Sequence, residues 1–100
     1  MAKLLIGRTN YFSVEHAHSC RIPGYLILEP LTAVPNMWTL EERAQIELGR
    51  LQANCAKAIQ DNVSPIRIYY LVFAEENPTY HCHIFPRLSI HLTSSVLRVQ

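Results

Sequence analysis

Short apolar runs alternate with polar, Gly- and Pro-containing segments along most of this chain. Runs of β-branched, aromatic and leucine residues that are bounded by turn formers are typical of β-strands. The pattern predicts strands over residues 3–6, 11–16, 25–28, 66–73, 80–85 and 88–92. Turns or loops are predicted over residues 7–10, 16–24, 31–37 and 74–78.

A different periodicity, with three or four residues between apolar positions, covers the middle of the chain. This spacing forms one apolar face of a helix, and its members are Leu40, Ala44, Leu48, Leu51, Cys55, Ala58 and Ile59. Thr39 followed by Glu42 predicts a capping box at the start of the helix. Asn62 shortly before Pro65 predicts the end, with Asn62 in the left-handed cap. The pattern therefore predicts one helix of about 22 residues.

One long helix among short strands predicts an α+β domain, in which an antiparallel sheet of about five strands carries the helix across one face. The chain has 100 residues, which suits a single domain over residues 1–100. Its net charge of +1 argues against bulk nucleic acid or an anionic membrane as partner, so any anion must be held by a local site. Trp38, just before the helix, is expected to anchor onto the sheet, with stacking on a base as the alternative.

The three cysteines, Cys20, Cys55 and Cys82, are an odd number without the spacing of a disulfide scaffold. This usage favours reduced thiols and a cytoplasmic location, with Cys55 and Cys82 in the core. No apolar run is long enough to cross a bilayer, and we expect no signal peptide.

Two histidines alternate with apolar residues in the strand predicted over residues 80–85. Because strand side chains alternate between faces, His81, His83 and Phe85 share one face, and residues 80, 82 and 84 pack under the helix. Two imidazoles on one face suit metal binding, acid–base chemistry or nucleophilic attack. Two hydrogen-bonded structural histidines have the same spacing, so the spacing alone leaves these alternatives open.

The longer string Pro-Thr-Tyr-His-Cys-His-Ile-Phe-Pro-Arg, residues 78–87, resembles the signature of the histidine-triad family. In that family three histidines alternate with apolar residues and precede two apolar residues and often Pro-Arg. Aligned on Pro-Arg, His81 corresponds to the middle, nucleophilic histidine and His83 to the third. Thr79 stands where the first histidine is expected.

A second segment supports the resemblance. The string Pro-Gly-Tyr-Leu-Ile-Leu-Glu-Pro, residues 23–30, resembles the family's Gly-His-Leu-Leu-Val-x-Pro strand. Tyr25 takes the place of its histidine, as in a subgroup similar to diadenosine polyphosphate hydrolases. The long helix and the strand after it follow in the family's order, so the resemblance covers residues 11–87.

The resemblance implies a chemistry, a partner and an assembly. Family members attack the α-phosphorus of a nucleotide ester, amide or anhydride with the middle histidine, here His81, and then hydrolyse or transfer the nucleotidyl–imidazole. A neutral imidazole with a pKa of about 6.5 is a competent nucleophile near neutral pH, and His83 would stabilise charge on the phosphate. The resemblance implies a small nucleotide substrate, no metal or other cofactor, and a twofold homodimer, which the exposed strand edges of so small a domain would favour.

The chain departs from the family pattern at several positions. Thr79 has no titratable group for a proton relay. In the preceding turn, Glu75 and Asn77 stand where the family has a Gly-Asn or Gly-Gln feature, and a carboxylate there would repel phosphate. With Tyr25, we expect these two residues to line the substrate site. Arg87 is equally suited to binding a phosphate of the substrate and to forming an ion pair with a carboxylate of the helix. His16, or alternatively Glu15, would hold the ribose hydroxyls.

Two further hypotheses follow from these departures. One is a degenerate nucleotide-binding module that has kept the fold and lost turnover. The other is a zinc-binding protein that uses His16, His18 and Cys20 with His81 and His83. The chain has no Cys-x-x-Cys or His-x-x-x-His pair, which are the more usual zinc spacings.

Overall fold

The computed structural model describes residues 3–17, 21–73 and 78–88. Five strands form one sheet, and their bounds are β1 Lys3–Arg8, β2 Phe12–Ala17, β3 Leu26–Pro30, β4 Arg67–Leu71 and β5 Cys82–Arg87. The helix α1 spans Glu42–Val63, and a short 3-10 helix spans Met37–Thr39. The strand order is β1-β2-β3-β5-β4 with antiparallel neighbours throughout. The predicted α+β fold with one helix on an antiparallel sheet is confirmed.

The core lies between α1 and one face of the sheet. The helix contributes Ala44, Leu48, Cys55 and Ile59. The rest of the cluster consists of Phe12, Val14, Leu26, Leu28, Tyr80, Cys82 and Ile84. The prediction that both Cys55 and Cys82 belong to the core is confirmed. Ala58, by contrast, is exposed, because the apolar face of α1 that contacts the sheet is narrower than the spacing of apolar residues in the sequence predicts.

The strand registers assign each side chain to a face, because residues directly opposite one another in an antiparallel pair point the same way. Leu26 pairs with Ile84 and Leu28 with Cys82, and these four buried residues define the helix face. Ile27 pairs with His83, which lies on the other face. We call that other face the histidine face.

Both ends of α1 differ from the prediction. The Thr39 hydroxyl donates to the Asn36 carbonyl (2.7 Å) within the 3-10 turn, so it does not cap α1, which begins after Glu41 without a side-chain cap. At the other end Ser64, with φ 52°, takes the left-handed conformation. Asn62 is still helical and its amide donates to the Ala58 carbonyl (2.7 Å).

Trp38 does not anchor the helix on the sheet, since its side chain is 75 % exposed. Tyr80, which lines the same groove as Trp38, is the buried aromatic residue there, and its backbone N–H donates to the Val34 carbonyl (2.7 Å). Trp38 lines an open groove of about 500 Å³ beside β4, where α1 leaves the sheet uncovered. The groove is also lined by Met37, Tyr70 and Val72.

Other predictions fall partly outside the described residues. The turn over residues 74–78 and the strand over residues 88–92 do so, except for Pro78 and Leu88, neither of which is in a strand. In the part of the chain that the structure describes, no helix has the length and apolar character needed to cross a membrane.

Candidate functional site

The two histidines of the predicted site lie at the start of β5, where His81 directly precedes the strand and His83 is its second residue. Ile84 and Cys82 are fully buried on the helix face, and this burial fixes the alternation that places His83 on the histidine face. The ring of His81, just before the strand, lies beside that of His83. The two imidazole rings are 4.9 Å apart between centroids and inclined by 66°. Two rings this close can contact one phosphoryl group.

A backbone carbonyl sets the tautomer of His81. The Nδ1 atom of His81 lies 2.9 Å from the carbonyl oxygen of Thr79. A carbonyl oxygen only accepts, so Nδ1 carries the hydrogen. In the neutral ring, Nε2 then holds the lone pair, which is the form that a nucleophile requires. Thr79 thus acts on the site through its backbone, a contribution that its side-chain chemistry does not reveal.

Tyr25 holds the second imidazole. Its hydroxyl lies 2.9 Å from Nδ1 of His83, and the two rings meet edge to face at 5.7 Å. A tyrosine hydroxyl can donate to Nδ1, which leaves the ring hydrogen of His83 on Nε2. In that tautomer His83 presents a donor next to the lone pair of His81. The sequence predicted Tyr25 as a substrate contact, whereas the structure shows it bound to His83.

An aromatic row extends from Tyr25 across the sheet. Its ring stacks on Phe85, with 4.8 Å between centroids and 8° between planes, and Phe85 contacts Tyr69 on β4 at 5.5 Å. Phe73, 62 % exposed, approaches His83 edge-on at 6.3 Å. The histidines therefore have an aromatic surface on their β4 side.

The opposite side of the histidine face carries two carboxylates, Glu15 and Glu29, together with Arg8, which pairs with Ser13 opposite Glu29. Glu15 pairs with Ile27, which pairs in turn with His83, so Glu15 lies on the histidine face two strands away. Glu29 lies on the same face, two residues beyond Ile27 and opposite Ser13. Sequence reasoning missed Glu29 because it lies one residue beyond the strand predicted over residues 25–28. The observed strand includes it, and alternation with Tyr25 and Ile27 places it on the histidine face.

His16 is not at this site, contrary to the prediction. It pairs with Leu26, whose other neighbour is Ile84, so His16 lies on the helix face. Its ring Nδ1 is 3.1 Å from the Ala17 carbonyl. Strand alternation therefore selects Glu15, the alternative, as the residue of this pair that shares a face with His83.

Arg87 lies on the histidine face, away from α1, so pairing with a helix carboxylate is the alternative that the structure disfavours. Its partner across the β4–β5 ladder is Arg67, and both are exposed. Of the remaining predicted site residues, Glu75 and Asn77 lie outside the described residues.

The thiol between the two histidines lies on the other face of the sheet, since Cys82 is buried on the helix face. Burial raises the pKa of Cys82, and a hydrogen bond from the Gln52 amide (3.5 Å) opposes that rise only in part. The thiol therefore stays protonated at neutral pH and is a poor nucleophile. Burial likewise raises the pKa of the neighbouring Tyr80 to about 12.

A zinc site that joins His16 to His81 and His83 is inconsistent with the sheet, because His16 lies on the opposite face. Residues 18 and 20 of that hypothesis lie outside the described ranges. Across residues 3–17, 21–73 and 78–88, no group of three or more His, Cys, Asp or Glu side chains is placed to hold a metal ion.

Solved structures of histidine-triad proteins share this architecture. A Hit-like protein involved in cell-cycle regulation from Bartonella henselae superposes with a TM-score of 0.73 at 17 % identity, covering 90 % of this chain and 74 % of that one. A histidine triad protein from Sinorhizobium meliloti gives 0.79 at 19 % identity, covering 88 % and 65 %. A hypothetical histidine triad nucleotide-binding protein from Sulfolobus tokodaii gives 0.73 at 16 %, covering 89 % and 63 %.

No protein-family model matches the sequence, and a search of curated proteins gives no match. The likeness is therefore one of fold, since all three identities are below 20 %. The chain spans between 63 % and 74 % of the length of these three proteins. The fold is that of histidine-triad proteins.

Proposed function

We propose that the chain is a histidine-triad protein that binds a small nucleotide and transfers its nucleotidyl group through His81. The observation that carries this proposal is the pair of imidazoles, 4.9 Å apart, each held at Nδ1 by a neighbour. This arrangement puts a nucleophilic nitrogen and a hydrogen-bond donor side by side. The shared fold and the nucleotide-binding description of the Sulfolobus tokodaii protein support the proposal.

The proposed reaction has two steps, and both are attacks on the α-phosphorus. The Nε2 lone pair of His81 attacks the α-phosphorus, a P–N bond forms, and the bond to the leaving group breaks with its electron pair. The Nε2–H of His83 donates to a non-bridging oxygen, where negative charge increases. Water then attacks the phosphorus, the P–N bond returns its electrons to Nε2, and the water proton passes to solvent. A second acceptor in place of water would make the protein a transferase.

Thr79 restricts the substrates that this site can process. Its side chain does not titrate near neutral pH, so it cannot give a proton to the departing group. Leaving groups that are stable as anions, such as the phosphates of an anhydride, depart without that proton. We therefore propose nucleotide anhydrides rather than phosphoramidates as the substrate class.

The direct test is turnover and adduct formation with dinucleoside polyphosphates, adenosine phosphoramidates and nucleotidyl sulfates. Wild-type protein quenched during turnover should show a mass increase of one nucleotidyl group. His81→Ala should abolish both turnover and this mass increase. His16→Ala is the matched control, because it removes an imidazole from the opposite face and should leave both readouts unchanged. Equal inertness of wild type and His81→Ala on every compound would end the enzyme proposal.

A binding module without turnover is the second candidate, and Thr79 in place of a histidine favours it. In this case calorimetry would show micromolar binding of a nucleotide that His81→Ala weakens. No adduct would accumulate on His81 with any of the three compound classes.

We also propose that the chain forms a twofold homodimer through the free edge of β4. This strand is the last in the sheet order, and consecutive residues Tyr69, Tyr70 and Leu71 are 36 % to 48 % exposed. Unpaired, flat apolar edges promote association, whereas bulges discourage it. The other edge strand, β1, carries a bulge-like irregularity, seen as a shift of register between Leu5 and Gly7. Pairing at β4 would also bring the exposed Trp38 groove near the partner.

Light scattering tests the dimer. Wild type should have twice the 11.5 kDa of the monomer, and Tyr70→Lys should shift it to the monomer mass, because a lysine on the edge is costly to bury. The control Leu5→Lys adds the same charge on the bulged β1 edge and should leave the dimer intact. A monomeric wild type at tens of micromolar would exclude this assembly.

A further inference from the structure

Two arginines face each other at the far end of the histidine face. Arg67 on β4 and Arg87 on β5 are directly opposed in the ladder, and both side chains are exposed. Like charges directly opposed across two strands destabilise the pair. Within residues 3–17, 21–73 and 78–88, no hydrogen bond or ion pair offsets either guanidinium. An anion between them would remove the repulsion.

The arginine pair lies in line with the histidines. Along β5 the residues on this face are His83, Phe85 and Arg87 in order, and His81 directly precedes the strand with its ring 4.9 Å from that of His83. At about 3.3 Å per residue, the Cα atoms of His83 and Arg87 are about 13 Å apart. The row of Tyr25, Phe85 and Tyr69 occupies the interval. One face thus presents an imidazole pair, an aromatic row and a guanidinium pair.

From this order we infer that Arg67 and Arg87 bind a second phosphate of the substrate, one that a nucleoside separates from the phosphate at His81. This inference rests on the function proposed above. A second phosphate that is bonded directly to the first, as in ADP, stays next to the histidines and does not cross the aromatic row. A phosphate on the far side of the nucleoside instead reaches the arginines while the flat base or the sugar packs on the aromatic row.

The ligand class is therefore a nucleotide that carries phosphates on both its 5′ and 3′ sides. Guanidinium groups suit such a phosphate, because their planar forks match its oxygens in bidentate geometry. A free nucleoside 3′,5′-bisphosphate and the 5′ end of a short oligonucleotide share this chemistry. Comparing the bisphosphate with a 5′-phosphorylated dinucleotide distinguishes these two sources.

Calorimetry with three small ligands tests the inference. Adenosine 3′,5′-bisphosphate should bind at least about tenfold more tightly than AMP, since two charged contacts are added. ADP serves as the control ligand, because it adds its second phosphate next to the first, and it should show little of this gain. In Arg67→Gln/Arg87→Gln the preference for the bisphosphate should disappear while the affinity for AMP is kept.

A matched variant controls for net charge. Arg43→Gln/Arg50→Gln removes two exposed arginines from α1 and should keep the preference for the bisphosphate. Gains that are equal for ADP and the bisphosphate, or a preference that survives in Arg67→Gln/Arg87→Gln, would overturn the arginine site.

Failure of this site and failure of the proposed function give different results. If AMP binds with dependence on His81 but the bisphosphate adds nothing, only the arginine site is refuted. If the bisphosphate binds through the arginines without dependence on His81 or His83, the arginine site stands and the nucleotidyl-transfer proposal falls. If no ligand binds, both proposals fall.

Discussion

The hydrogen bond between Tyr25 and His83 is the contact by which the site is most readily tested. Tyr25→Phe removes the hydroxyl that lies 2.9 Å from Nδ1 of His83. It retains the ring, and with it the parallel stack on Phe85 at 4.8 Å. The substitution therefore perturbs the orientation and tautomer of one imidazole while the aromatic packing is kept.

The expected size of the effect follows from the lost bond. One uncharged hydrogen bond contributes about 0.5–1.5 kcal/mol net. If all of it orients His83 in the transition state, the rate of nucleotidyl transfer falls roughly 2- to 13-fold, at 1.36 kcal/mol per factor of ten. Tyr25→Ala also loses the stack, so it should lower the free energy of unfolding, whereas Tyr25→Phe should change it little.

The assay is single-turnover formation of the His81 adduct, together with ¹⁵N NMR of the imidazole nitrogens. In wild type, Nδ1 of His83 should show the shift of a hydrogen-bonded acceptor, and Nδ1 of His81 that of a protonated nitrogen. Tyr25→Phe should move the His83 signals alone. A wild-type transfer rate in Tyr25→Phe, or unchanged His83 shifts, would refute the positioning role of Tyr25.

Three further predictions concern the backbone, the core and the substrate. Gly24 has φ +80°, and a Cβ there would lie 3.3 Å from a Val63 methyl, so Gly24→Ala should lower the free energy of unfolding by about 1–3 kcal/mol in urea melts; unchanged stability would mean that this turn relaxes. Burial raises the Tyr80 pKa from 10.0 to about 12. The contribution of the protonated Tyr80 hydroxyl to the free energy of unfolding is therefore complete below pH 10 and is lost as the pH rises towards 12, by at most about 2.7 kcal/mol. Tyr80→Phe should remove that part of the alkaline loss of stability, and an unchanged loss in Tyr80→Phe would refute this role of Tyr80. Because Thr79 offers no proton to the leaving group, kcat/KM should be higher for a dinucleoside polyphosphate than for an adenosine phosphoramidate, and the reverse order would indicate another acid.

Much of the fold could be predicted from the sequence because its determinants are local. The three- to four-residue spacing through Ala44 and Leu48 indicates a helix wherever it packs, and the alternation around Cys82 indicates two strand faces. The capping box at Thr39 was wrong because that hydroxyl has a nearer acceptor, the Asn36 carbonyl, in a 3-10 turn. The prediction that Trp38 anchors onto the sheet was wrong, because its side chain is exposed and Tyr80 is the aromatic residue of this region that belongs to the core.

The sequence by itself determined which residue types are candidates for the proposed chemistry: two histidines at alternate positions in one segment, and a tyrosine in another. Alternation with period two is a property of each strand alone, so it can be recognised in the sequence without knowing which strand lies next to it. The tertiary structure decided what holds the two rings, because the Tyr25 hydroxyl is 58 residues away from His83 along the chain. It also decided that His16 is excluded from the site, and that Glu29 and the Arg67–Arg87 pair share its face. Those assignments depend on the registers between strands, and pairing across the sheet is set by packing of the whole core rather than by any one segment.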